Sequence, residues 1–278
     1  DGIDLELWMN TANSGRISDT QMSYSVFSKI HPDLHKHLKG MKPFELVVSS
    51  VFYVGFAYAL AQHHGATLKI VSLFPCWLTD GNKDDGFEST RDDIQSSANE
   101  YNALFNLQEE ADVVGKLQGC QVLIGISRCF LSDSEQVKCI GSLTSGKYGQ
   151  SDSELLEFVH RHHPIYIGFG SMAANKMDDR WKTWMYIANT LKRHVLVCAA
   201  WTSGIPDMSS CSFIKVIRYC NHREIFPHCT LVCHHGGAGT THTTALAGVP
   251  SLCFPAAVDQ LRWARTIHDL GIGYCMQR

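Results

Sequence analysis

Eleven consecutive residues, Leu231-Val232-Cys233-His234-His235-Gly236-Gly237-Ala238-Gly239-Thr240-Thr241, hold the residue types best suited to anion chemistry. The apolar start reads as a buried strand, and the glycines as a turn that opens into a helix. The first N–H groups of a helix have no partner within it, and that end carries a partial positive charge. Such a turn offers donors and a favourable field to a phosphate. Gly236, Gly237, Ala238 and Gly239 let an anion approach the backbone closely, and Thr240 adds a hydroxyl. Two histidines stand at the mouth of the turn. A second signal follows in Gly248-Val249-Pro250-Ser251-Leu252-Cys253-Phe254-Pro255 and the pair Asp259-Gln260. A carboxylate accepts from two hydroxyls, and an amide both donates and accepts. A phosphate cradle followed by an acid–amide pair reads as a nucleotide-sugar site.

Each signal has a plainer explanation. A glycine turn alone caps many ordinary helices, and Asp259 suits a helix N-cap. Cys229, Cys233, His234 and His235 could be drawn as a zinc cluster. The spacing lacks a second arm, and a strand sends Cys233 and His234 to opposite faces, so no metal is expected. The pairs His63-His64 and His162-His163 read as surface or element-end residues. Gly168-Phe169-Gly170-Ser171-Met172 is not the turn of a serine hydrolase.

The elements that must position these residues follow from apolar runs and breakers. Tyr24 to Leu38 suits a helix up to His31-Pro32. Strands are predicted at 44–50 and 67–73, with a helix at 55–64 closed by Gly65. A polar loop at 79–90 precedes a helix over 91–114, then strands at 121–126 and 138–141. The second half alternates strands at 164–169, 194–199, 213–217, 230–234 and 251–254 with helices at 178–191, 240–247 and 260–270. That alternation indicates a parallel sheet covered on both faces. Such sheets bind ligands at the carboxyl ends of strands.

At 278 residues two domains are expected. Hydrophobic residues make up 45% and charged residues 18%, enough for sizeable cores. The formal net charge of −3 implies no general attraction to nucleic acid. The eleven cysteines are spread widely without a CxxC, which fits a reducing, cytoplasmic setting. No apolar run approaches the ~20 residues of a membrane span.

The second half resembles the nucleotide-sugar domain of family 1 glycosyltransferases, in particular the sterol glucosyltransferase branch and then the bacterial antibiotic glycosyltransferases. The residues that carry the likeness are Ile165–Met172, Ala200-Trp201, Asn221-His222, His234–Thr241, Gly248-Val249-Pro250, Asp259-Gln260 and Gly271-Ile272-Gly273. The likeness spans roughly residues 135–278, and the first half matches more weakly.

The resemblance implies an α/β GT-B fold, two Rossmann-like domains with parallel sheets facing across a cleft. It divides the chain into a partial acceptor-side domain (1–142), a linker (143–152) and a nucleotide-sugar domain (153–278). Nothing before Phe44 resembles the family's opening strand and catalytic-base loop, so the chain reads as an internal piece of a larger enzyme. The implied reaction is inverting transfer of a hexose, with UDP-glucose the first choice of donor, to a hydroxyl of a lipophilic acceptor such as a sterol. No cofactor is implied, and a lipid acceptor would bring peripheral contact with a membrane.

By the same resemblance His234 meets the departing diphosphate, and Gly236, Gly237, Ala238, Gly239 and Thr240 cradle it. Ser171 approaches the diphosphate, although a plain turn serine explains it equally well. Asp259 and Gln260 hold the sugar, and Tyr219 and His222 serve the base and ribose. Trp201 suits a core aromatic as well as a base platform. Val51-Phe52-Tyr53 and Phe74-Pro75-Cys76-Trp77 are candidate acceptor linings. Tyr219, Asn221 and Arg223-Glu224-Ile225-Phe226 depart from the family pattern, so uridine and thymidine diphosphate donors both stay open. The competing reading is a truncated or degenerate protein that binds a nucleotide sugar or lipid without turnover.

Overall fold

A computed structural model describes residues 38–50, 53–73, 88–131, 134, 136–143, 149–170, 177–199, 211–255 and 259–276. The chain divides into two units, Asp1–Leu143 and Thr144–Arg278. The expected helix before residue 38, the loop residues 79–87, Val51-Phe52, Phe74 to Trp77, Ser171 and Ala200-Trp201 lie outside the described residues.

The first unit runs β1 (Leu46–Ser50), α1 (Val54–His64), β2 (Thr67–Ser72), α2 (Glu88–Leu104), α3 (Val113–Gln118), β3 (Val122–Ile124) and β4 (Val137–Cys139). Its strands are parallel and lie in chain order, β1-β2-β3-β4. Alanine-rich α1 is buried along its first eight residues and packs on β1 and α2. Val47, Phe56, Leu60, Tyr101 and Phe105 form the core between them. Gly65 ends α1 in the left-handed region at φ 66°, as its position predicts.

The single helix expected over 91–114 is two helices. Phe105 turns into the core and Asn106 takes φ 57°, which ends α2. The chain is then held by α2 itself: Asn99 Oδ1 accepts the Glu110 N–H at 3.0 Å, and Gln95 Oε1 accepts the Val113 N–H at 2.9 Å. Asp112 starts α3 by accepting the Gly115 N–H at 2.8 Å. Polar side chains thus compete with the helix for backbone donors.

The second unit runs α4 (Ser153–His162), β5 (Ile165–Gly168), α5 (Met177–Leu191), β6 (Val195–Cys198), β7 (Ile214–Ile217), α6 (His222–Ile225) with a 3-10 turn (Phe226–His228), β8 (Leu231–His234), α7 (Ala238–Leu246), β9 (Ser251–Cys253), α8 (Gln260–Asp269) and β10 (Gly273–Cys275). All six strands are parallel, in the order β10-β9-β8-β5-β6-β7. The central strands β5, β6 and β8 are covered on both faces, which is why they are largely apolar. Ile167, Val195, Val197 and Cys233 pack with Ala188 of α5 on one face. Tyr166, Leu196 and Val232 pack with Leu155, Val159, Ile225 and Phe226 on the other.

Besides α6 and its 3-10 turn, α4 and β10 went unread in the sequence. α4 is short, but Asp152 caps it by accepting the Glu154 N–H at 3.1 Å, and Leu155 and Val159 are buried four apart. β10 is three residues long and is made a strand by its neighbour, Gly273 pairing with Ser251. Just before α4, Ser151 donates its N–H to Glu224 and accepts the Asn221 N–H on its hydroxyl. Among the described residues no helix is long and apolar enough to cross a membrane.

Candidate functional site

The order of the second sheet reverses between β5 and β8. From β5 the chain moves outward to β6 and β7, then returns to β8 and moves the other way. In open parallel sheets the loops leaving the strands part at such a reversal, and ligands bind at those carboxyl ends. Gly168 and His234 are register partners at that point, so Gly170 and His235 stand just beyond it. The His235 ring sits against both loops. A Cβ built on Gly170, whose φ is 60°, would lie 3.1 Å from His235 Cε1; one on Gly237 would lie 2.5 Å from Nε2. His235 Nδ1 is buried without a hydrogen-bond partner among the described residues. Burial pushes this imidazole below its usual range, so it stands neutral with one N–H to give.

Helix α7 starts beside that ring. Gly237 is its N-cap and supplies no side-chain cap. The first backbone bond of the helix is Thr241 N–H to Gly237 O, at 3.0 Å. The N–H groups of Ala238, Gly239 and Thr240 therefore have no partner within the helix. The Thr241 hydroxyl is buried and has no hydrogen-bond partner among the described residues. Unmet donors at a helix start, beside a buried unpaired imidazole nitrogen, suit an anion.

Gly236 departs from the expected cradle. Its N–H is donated to His234 Nδ1 at 3.1 Å and is not available to a ligand. Its φ is 87°, and a Cβ there would lie 2.8 Å from the Gln260 carbonyl oxygen. Only glycine fits, and the fit seats the turn directly on the first residue of α8.

His234 also departs from expectation. It is completely buried, with Nε2 3.2 Å from the Ser251 hydroxyl and 3.4 Å from Cys253 Sγ. Since Nδ1 accepts from Gly236, the proton resides on Nε2 and points to Ser251. Burial, then the fields of His235 and His222, push its pKa to about 3. The histidine expected to meet the diphosphate is thus neutral and buried beneath the turn. Strand alternation puts His234 on the inward face with Val232, and His235 is the first residue to leave the strand. His235, to which sequence reasoning gave no role, is the histidine that stands against both loops.

The acid–amide pair comes to the same place. Asp259 holds the N-cap position of α8 but its carboxylate makes no capping bond, so the plain helix-cap reading fails. Gln260 is buried at the first turn, against Gly236. Tyr219 is exposed, beside Gly149. His222 turns inward: its Nε2 lies 2.9 Å from the Tyr166 hydroxyl and its ring stacks on Phe226 at 4.5 Å. Burial holds the Tyr166 phenol well above its ordinary pKa, so the hydroxyl donates and His222 accepts. The structure joins the turn, His235, Asp259 and Gln260, and keeps His222 in the supporting layer. Among the described residues no group of three or more His, Cys, Asp or Glu side chains could hold a metal ion.

Comparisons with known proteins agree with this architecture. Residues 198–278 match the erythromycin biosynthesis protein CIII-like C-terminal domain. The chain is 35% identical over 137 residues to an uncharacterised glycosyltransferase of Mycobacterium tuberculosis, covering 48% of this chain and 32% of that one. It is 36% identical over 137 residues to a sterol 3-beta-glucosyltransferase of Arabidopsis thaliana, covering 47% and 22%. The matched segment is thus about a third or less of these relatives. Among solved structures, spinosyn forosaminyltransferase SpnP superposes with a TM-score of 0.71 at 17% identity, over 100% of this chain and 71% of that one. The Streptomyces glycosyltransferase SsfS6, solved with thymidine diphosphate, gives 0.61 at 17% identity, over 97% and 65%. The chain has the α/β fold of the GT-B glycosyltransferases, and its residues 198–278 are similar to the EryCIII-like C-terminal domain.

Proposed function

We propose that the crevice between β5 and β8 binds the diphosphate of a nucleotide sugar, and that the protein transfers the hexose to a hydroxyl of a lipophilic acceptor. One observation carries the reading. The uncapped start of α7 and the unpaired nitrogen of His235 face the same switch point, across from Gly170. The N–H groups of Ala238, Gly239 and Thr240, with the imidazole N–H of His235, would take up charge as the diphosphate leaves. Thr240 and Ser171 contribute hydroxyls in this reading. Asp259 and Gln260 hold the sugar hydroxyls, and the exposed Tyr219 ring lies under the base. The acceptor oxygen attacks the anomeric carbon from the face opposite the diphosphate, which inverts that centre. A base must take the acceptor's proton, and the cradle assigns no residue to that task. No metal is needed, because helix N–H groups and imidazole do its electrostatic work. The names of the similar proteins favour a sterol acceptor and a glucosyl group, for which UDP-glucose is our first choice of donor, and such an acceptor would bring the protein to a membrane surface.

Calorimetric titration of the chain with UDP, UDP-glucose and dTDP-glucose, without added metal, tests the reading. Saturable binding with preference for one sugar nucleotide is expected. A folded chain that binds none of them would overturn it. His235→Ala should weaken UDP by roughly 1.5–3 kcal/mol through one charge-assisted contact. Asp259→Ala should spare UDP and weaken UDP-glucose, and equal losses would remove Asp259 from the sugar site.

A further inference from the structure

We propose that Ser151 and Glu224 are positioning residues for the nucleobase of the donor, because they fasten the loop that carries Tyr219 to the segment leading into α4. The proposal rests on the nucleotide-sugar reading above, in which the Tyr219 ring lies under the base. Ser151 and Glu224 act through the loop between β7 and α6, which has no regular structure of its own.

β7 is the edge strand of its sheet, so no further strand braces the loop that leaves it. Residues 149–151 take that place. Ser151 donates its N–H to Glu224 Oε2 at 2.8 Å and accepts the Asn221 N–H on its hydroxyl at 3.1 Å. Tyr219 is seated beside Gly149, where a built Cβ would lie 3.7 Å from the ring carbon Cε1 and from the phenol oxygen. Asn221 joins the two parts of the contact. Its N–H goes to Ser151, while its Oδ1 accepts the Arg223 N–H at 3.1 Å and starts α6. On the other side Asp152 starts α4. The loop is thus tied between two helix starts.

The tie matters because Tyr219 is 64% exposed while Cys220 and Asn221 beside it are buried. A ring on the surface gains from stacking only what is left after its own ordering is met. Backbone and side-chain ordering are costly, and a loop fastened in advance meets that cost before the ligand arrives. The acceptor at the centre of the tie is charged. Hydrogen bonds from the Ser151 N–H, the Ser151 hydroxyl and the Asn221 side chain hold the Glu224 carboxyl below its ordinary range. The carboxylate therefore persists across neutral pH.

A base-positioning role predicts a loss for UDP that inorganic pyrophosphate does not share. Both affinities, and hydrogen exchange at the Ser151 and Asn221 amides, would be measured in the full chain and in Glu224→Ala, Glu224→Gln, Ser151→Ala, Tyr219→Ala and the Tyr219→Ala/Glu224→Ala pair. Glu224→Ala should bind UDP about tenfold more weakly, bind pyrophosphate within about twofold of the parent and exchange quickly at Ser151. Glu224→Gln keeps an oxygen for the Ser151 N–H and should bring UDP back to within about threefold of the parent. Ser151→Ala should fall between these two and exchange quickly at Asn221. On a Tyr219→Ala background Glu224→Ala should cost UDP nothing further, since the two residues act as one. Equal losses of UDP and pyrophosphate would overturn the proposal, because Glu224 would then support the unit as a whole. So would unchanged UDP affinity in a Glu224→Ala chain whose Ser151 amide exchanges freely, or full additivity with Tyr219→Ala. A parent chain that binds neither ligand fails the nucleotide-sugar reading itself and takes the proposal with it. A parent that binds UDP keeps that reading whatever the variants do.

Discussion

The two sheets are built from the same parts and differ in how the chain visits their strands. The four described strands of the first unit are laid down in one direction, each beside the last. In the second unit the chain turns back after β7 and inserts β8 on the far side of β5. The helix starts differ accordingly. α3 in the first unit and α4 in the second are closed by their own aspartates, Asp112 and Asp152. α7, which starts where the order reverses, has a glycine at its cap and no side chain on its N–H groups. α1 and α8 also start without a side-chain cap, so the open start of α7 is set apart by its glycine and by its place at the reversal of strand order. The contrast teaches that sheet order and cap chemistry together mark an anion site better than a glycine count does.

Acid should separate the two units most strongly. Burial lowers the pKa of His194, His228, His234, His235 and His242, all in the second unit. The unfolded chain then binds protons below its ordinary histidine range, ~6.5, while the folded chain resists them. Stability is thus complete above that pH and is lost as pH falls towards about 3, the folded value of His234. Denaturant melts read separately in each unit should show the second losing several kcal/mol by pH 4. Equal losses in both units would break the comparison.

Gly236→Ala comes next. It meets both a left-handed backbone and the Gln260 carbonyl, and should cost about 3 kcal/mol as well as UDP binding. An alanine variant that melts like the parent would show that α8 does not shape the turn. Removing a closed cap should do the reverse. Asp112→Ala should cost about 1 kcal/mol in the first unit with UDP binding untouched. The smallest effect belongs to Gly239→Ala, where a Cβ meets nothing within 4 Å. Thermal melting should be unchanged or raised by up to ~1 kcal/mol from helix propensity. A clear loss of stability there would mean that the start of α7 is more crowded than the geometry shows.

Most strands were legible because covered parallel strands are continuous apolar runs, and the breakers between them are strong. Gly65 announced the end of α1 in the same way. α2 and α3 read as one helix because the break depends on Asn99 and Gln95 reaching across to residues 110 and 113, a contact between segments that periodicity does not carry. α4 was hidden by its polar surroundings, although Asp152 with Leu155 and Val159 was a usable signal. β10 had no signal of its own, since its neighbour β9 makes it a strand.

The site divides along the same line. The sequence by itself determined that a glycine turn joins a buried strand to a helix, and that an acid–amide pair follows one strand later. Strand period, turn chemistry and helix-end electrostatics are local, so local residues suffice to state them. Which histidine is buried under the turn and which stands against the loops was decided only in three dimensions. His234 and His235 are identical in chemistry and adjacent in sequence. One is placed between Ser251 and Gly236, neutral and buried, and the other is turned out against Gly170. The partners that separate them come from β5 and β9, brought together by a strand order that no single segment encodes.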